Sequence, residues 1–174
     1  PNRHEYAKRL IAGNQVPDKV GFAPYTVVEL CQRIEAAIVA LELIDPAHPH
    51  AAERRRQAEE NMIHVTGILG HYVADLANPH HTTINYNGWT GENPEGFATD
   101  RDVHARFESH FVDRLGAKLA IPALPAAKSD LDYVRAAWDH VIESNGLVRD
   151  LYRLDKRGAF TELSLIHISE PTRL

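Results

Sequence analysis

Apolar residues first fall into a regular pattern over 24–44, where Val27, Leu30, Ile34, Ile38, Leu41 and Ile44 recur every three or four positions. That spacing lines one face of an α-helix. The two prolines of DPAHPH (45–50) end it, since neither can sit inside a continuing helix. A second helix is predicted over 51–77. It opens on a charged, solvated stretch, ERRRQAEE, and then turns apolar at Met62, Val65, Leu69, Val73 and Leu76 before Pro79 stops it. Residues 82–99, rich in Asn, Gly, Thr and Pro, read as a long loop, of a length that is usually functional or disordered. A third helix is expected over 101–120, with Phe107, Phe111 and Leu115 on its stripe. After the linker IPALPAAKSD, Ser129 or Asp130 caps a last helix to about Arg157, with Leu131, Val134, Trp138, Val141 and Ile142 inward. No alternating pattern and no internal repeat occurs. The expected architecture is all-α, a multi-helix bundle forming one domain over 1–162.

The chain has 174 residues, enough for a real core, and its 44% hydrophobic and 25% charged composition is ordinary for a globular protein. The net charge of −5 speaks against a dedicated nucleic-acid binder, although a local basic groove stays open. No apolar run reaches membrane-spanning length. The single cysteine, Cys31, allows no internal disulfide and falls on an apolar face. Residues 163–173, LSLIHISEPTR, read as translated sequencing adapter, so 163–174 is expected to be a non-native tail and the domain to be incomplete at both ends.

Histidine is what changes the picture. There are eleven, and six fall between His64 and His110. In GHYVADLANPHHTTINYNG (70–88), His71 and Asp75 stand four apart, so they share a helix face one turn from each other. His104 and Glu108 repeat that relation in HARFE, and His81 follows the Pro79 break. Imidazole and carboxylate pairs on neighbouring helices, with a further ligand from the connecting loop, are how bundles build metal sites. Nitrogen and oxygen donors without thiolate suit zinc, with manganese or iron left open. Five donors in one place would exceed the needs of one ion. An i,i+4 His/Asp pair by itself is equally an ordinary helix-surface contact.

These residues resemble a family. HYVADLANPHH is similar to the H-x-x-x-D-x-x-x-P-x-H signature of the zinc-dependent phospholipase C family, shared with the fungal single-strand-specific nucleases, and HARFE resembles its second motif. The resemblance runs from about Arg3 to Leu115. It implies that His81, His104 and Glu108 hold one zinc, the most exchangeable of three. His71 and Asp75 would serve a closely spaced pair, with Asp75 bridging the two ions at the catalytic centre. His4, in RHEYA, would join His71 on one of these. Asn87 would lie near the substrate phosphate. The resemblance further implies a phosphodiester substrate, secretion or a periplasmic location, and hydrolysis by zinc-activated water. A mature N-terminal tryptophan, a histidine and an aspartate of the family pattern have no counterpart here, and neither Trp89 nor Trp138 replaces the tryptophan. One complete metal site and one half-built pair are therefore expected.

The substrate class divides into a phospholipid head group, favoured by the negative charge and by TTINYNG, and single-stranded nucleic acid. Tyr86, Trp89 and Phe97 in the long loop would suit either. A non-catalytic, metal-binding helical protein is the remaining class. Among the other histidines, His64 is read as a core residue or a support to a ligand. His80 is set aside, His48 and His50 are loop residues, and His110 points off the apolar stripe.

Overall fold

The computed structural model describes residues 2–115 and 132–161. The expected tail, the cap at 129–130, Leu131 and the end of the third helix at 116–120 lie outside them. The described secondary structure is helical throughout, apart from one isolated bridge between Tyr86 and Gly88. It comprises α1 (Arg3–Ala12), α2 (Pro17–Val20), α3 (Ala23–Glu42), α4 (Ala51–Ala77), a 3₁₀ turn (Pro79–Thr82), α5 (Val103–Ala105), a π-helical stretch (Arg106–Phe111), α6 (Val112–Leu115), α7 (Tyr133–Gly146) and α8 (Val148–Lys156). No described helix is long and apolar enough to cross a membrane.

The chain divides into two compact units. The first runs to Ala77 and takes in α7 up to Val141; the second begins at Asn78 and resumes at Ile142.

In the first unit, α3 and α4 pack as a helical hairpin. Val27, Leu76 and Ala137 are buried, with Val28, Cys31, Leu69, Tyr72 and Val141 packed around them. The apolar stripe predicted on α3 is buried only in its first half: Val27 and Leu30 are covered, whereas Ile38 is 44% exposed. Helix α1 has no strong apolar period and is not evident from spacing. It is started by Asn2, whose side chain accepts from the Glu5 N–H at 2.9 Å, satisfying one of the orphan donors of a helix start. It is held by Tyr6, which meets Phe22, Tyr25 and Trp138 at ring centroid distances of 6.0, 5.5 and 5.3 Å.

In the second unit, Tyr152 and Val103 are fully buried in a core with Phe97 and Val148, against which Trp89 packs. The long loop 82–99 is organised by that core. The Tyr152 hydroxyl donates to the Asn85 carbonyl at 2.7 Å and accepts from the Gly88 N–H at 3.0 Å. The Asn85 side chain in turn accepts from the Thr90 N–H and hydroxyl at 2.9 and 2.7 Å. Gly88 has φ of 101°, and a Cβ there would stand 2.5 Å from the Asp100 carbonyl oxygen, so only glycine fits. The expected last helix is broken: Gly146 ends α7 and α8 restarts at Val148, which turns Leu151, Tyr152 and Asp155 inward.

Candidate metal centre

Residues 78–82 place the first ligand. Pro79 cannot continue a helix, and the chain closes into a 3₁₀ turn capped by Asn78, whose side-chain oxygen accepts from the His80 N–H at 3.0 Å. The His81 N–H bonds the Asn78 carbonyl at 3.0 Å, and the Thr82 hydroxyl bonds the Pro79 carbonyl at 2.9 Å. His81 is thereby fixed in direction. His104 and Glu108 come from a single run of helix, α5 passing into the π-helical stretch. A single π turn inside an α-helix is rare and concentrates at functional sites.

Three atoms converge. His81 Nε2 lies 3.1 Å from His104 Nε2 and 3.3 Å from Glu108 Oε2, and His104 Nε2 contacts the same Oε2. Among the described residues this is the one group of three or more His, Cys, Asp or Glu side chains whose donor atoms meet so closely. The lengths can be compared with a tetrahedral ion. A Zn–N bond of about 2.0–2.1 Å gives a ligand-to-ligand edge of about 3.3 Å. Two of the three separations match that edge, and the third is shorter. Glu108 Oε2 accepts from Asn78 Nδ2 and contacts His104 Nε2, while the two imidazole Nε2 atoms face each other at 3.1 Å. A cation between them would meet all three lone pairs. The donor set therefore fits zinc. The His81 and His104 side chains are 25% exposed and Glu108 46%, so solvent and a ligand can reach the cluster.

The supporting residues are fixed by partners distant in sequence. Asn78 Nδ2 donates to Glu108 Oε2 at 3.0 Å, so one side chain both caps the turn carrying His81 and aims the carboxylate. Asn87 Oδ1 accepts from the His104 backbone N–H at 3.3 Å, near the start of α5. The residue expected near a substrate phosphate is thus also a support for a ligand helix. Arg106 points the other way. It makes a bidentate pair with the buried Asp155, at 2.9 and 2.8 Å, and reaches Asp100 at 2.6 and 3.3 Å, tying the ligand-bearing helix to α8 and to the end of the loop. Neither Asn78 nor Arg106 stands out in the sequence.

Behind the cluster lies His80, 1% exposed and stacked on His104 at 5.2 Å with 19° between the rings. Phe107 and Tyr152 close around it, and neither ring nitrogen makes a hydrogen bond of ordinary geometry. Burial, followed by the charges of His104 and His81, lowers its pKa to about 4, so it is a neutral imidazole at pH 7. Glu108 shifts downward: burial opposes its ionisation, but the hydrogen bonds to and charges of His104 and His81 outweigh that penalty.

The other expected ligands belong to the first unit. His71 Nε2 and Asp75 Oδ2 form the anticipated i,i+4 pair at 3.3 Å, with the His71 side chain 71% exposed. Asp75 is half-buried, and the buried residues of α4 are Val65 and Leu76. His4 is exposed in the first turn of α1. No third donor joins His4, His71 or Asp75 into a close trio among the described residues. His64 is exposed and so is not a core residue. Compared with known protein families, curated proteins and solved structures, the chain has no match.

Proposed function

We propose that the chain is a zinc-dependent phosphodiester hydrolase of the phospholipase C type. One observation carries the reading: the convergence of His81, His104 and Glu108, with two of the three donor separations near the edge of a tetrahedral ion. The resemblance of HYVADLANPHH and HARFE to the family signature supplies the reaction class.

Three protein ligands are the usual number at a catalytic zinc, where structural sites use four. When bound, zinc supplies positive charge for the phosphoryl oxygens and a water acidic enough to ionise near pH 7. The protein's part is to present His81, His104 and Glu108 together, with Asn78 bonded to the Glu108 carboxylate and Asn87 to the His104 backbone. In this reading Asp75, with His71 and His4, serves further ions, and Asn87 takes the substrate phosphate in addition to supporting His104.

A second reading, a metal-binding protein without activity, is favoured by the fact that only one trio converges among the described residues. Zinc content by elemental analysis, for the chain and its His104→Ala variant, comes first. Hydrolysis of phosphatidylcholine and of single-stranded DNA comes second. The proposal expects about one zinc or more per chain, reduced in the variant, and phosphatidylcholine hydrolysis by the metal-loaded protein. Zinc without either activity leaves the metal-binding reading; cleavage of DNA alone makes the protein a nuclease; no zinc in the folded chain refutes both metal readings.

A further inference from the structure

The loop that carries Asn85 and Asn87 into the second unit also displays two apolar side chains outward. Ile84 is 79% and Tyr86 57% exposed, while Asn85 between them is buried. Asn85 is held by Tyr152, Thr90 and Thr83 within a turn, and its two neighbours are left at the surface. The Tyr86 ring stands 6.4 Å from the His104 ring at 80°, which puts this apolar tip beside the metal cluster. Asn145 Nδ2 bonds the Thr82 carbonyl at 2.7 Å, bringing the end of α7 to the base of the loop. There Ile142, one turn before Asn145, is 63% exposed and Leu147 54%. Trp89 and Phe97, the other aromatic residues of the loop, pack with Tyr152 in the core and are not available.

The chemistry of the tip narrows its partner. From 78 to 91 the chain carries no Asp, Glu, Lys or Arg. Single-stranded nucleic acid is bound by positively charged grooves lined with stacking aromatics, and this segment offers one ring and no cation. A few outward side chains are too small an area for a specific protein interface, which takes about 800 Å² from each partner. They match the boundary of a lipid surface, where an aliphatic side chain enters the acyl region and tyrosine sits at the polar edge.

We propose that the Ile84/Tyr86 loop tip anchors the protein in an uncharged, zwitterionic lipid surface, delivering a lipid head group to the His81–His104–Glu108 cluster. The delivery clause rests on the proposed hydrolase; the anchor does not.

The test is flotation of the full chain with phosphatidylcholine vesicles, comparing wild type with the Ile84→Ser/Tyr86→Ser double variant and measuring zinc in both. Both side chains are exposed, so the variant is expected to keep its helix content by circular dichroism. The anchor predicts vesicle partitioning reduced about tenfold or more in the variant, with zinc content unchanged. Equal partitioning, or no partitioning of wild type, overturns it. So does loss of binding to a single-stranded oligonucleotide instead, which would make Tyr86 a base platform. A zinc-free wild type whose vesicle binding still depends on Ile84 and Tyr86 would sustain the anchor and remove the hydrolase.

Discussion

Arg106 braces the helix that carries His104 and Glu108 without touching the His81–His104–Glu108 cluster. It lies between His104 and Glu108 in sequence, and its guanidinium is consumed by Asp155 and Asp100. The Asp155 side chain is only 5% exposed. Replacing Arg106 with alanine leaves a buried carboxylate without its bidentate partner, a change that typically costs about 3–5 kcal/mol. We take about 3, because Arg106 itself is 21% exposed and water can enter the space it leaves. For a chain of this length that corresponds to a fall in Tm of roughly 6–12 °C.

The loss should be confined to the second unit, and the two tryptophans can show this. Trp89 packs with Phe97 and Tyr152 there, and Trp138 packs with Tyr6 and Tyr25 in the first. In a Trp138→Phe background the Trp89 fluorescence transition should move down by that amount. In a Trp89→Phe background the Trp138 transition should move much less. Arg106→Lys keeps a charge but not the fork, so it should fall between wild type and alanine. The Arg106→Ala/Asp155→Ala double variant should be clearly more stable than the sum of the single losses, since it strands no charge. Zinc affinity, by competition with a chelator, should fall with the Trp89 transition. A loss below about 1 kcal/mol in Arg106→Ala, or strictly additive single losses, would refute the clamp.

Two further outcomes follow from the same geometry. His80 has its pKa lowered from 6.5 to about 4 by burial. Between those values the unfolded chain binds a proton that the folded one refuses, so stability is complete above pH 6.5 and is lost as pH falls towards 4. The loss is at most about 3 kcal/mol. Urea titrations of the metal-free protein across that range should show the slope, and His80→Phe should flatten it; an unchanged slope in that variant would assign it to other groups. Asn78→Ala should weaken zinc binding by about 10–100-fold, as loss of a group orienting a ligand does, and unchanged affinity would mean that Glu108 does not depend on it.

What could be read in the chain beforehand follows the range of the interaction. The start and stop of α3 and α4 are local matters, apolar spacing and proline, and they appear where the pattern predicts. The start of α1 was also written locally, in Asn2 and Glu5, but without an apolar stripe to draw attention to it. The break at Gly146 is a local signal too, a glycine that ends α7 before α8 restarts at Val148. The order within loop 82–99 could not be read at all, because the residue that imposes it is Tyr152, more than sixty positions away. Arg106 and Asp155 are likewise 49 apart.

The same distinction governs the two i,i+4 motifs. In spacing and chemistry, His71/Asp75 and His104/Glu108 are nearly interchangeable. The first is a pair 3.3 Å apart on α4, with the His71 side chain 71% exposed. The second has a third donor above it, aimed by Asn78, and sits where α-helix passes into π-helix. Four-residue spacing therefore nominates two side chains; whether they can hold an ion is decided by what a distant segment brings to them. For His104 and Glu108 that segment is the turn at Pro79, and its placement of His81 is the reason to look for zinc there first.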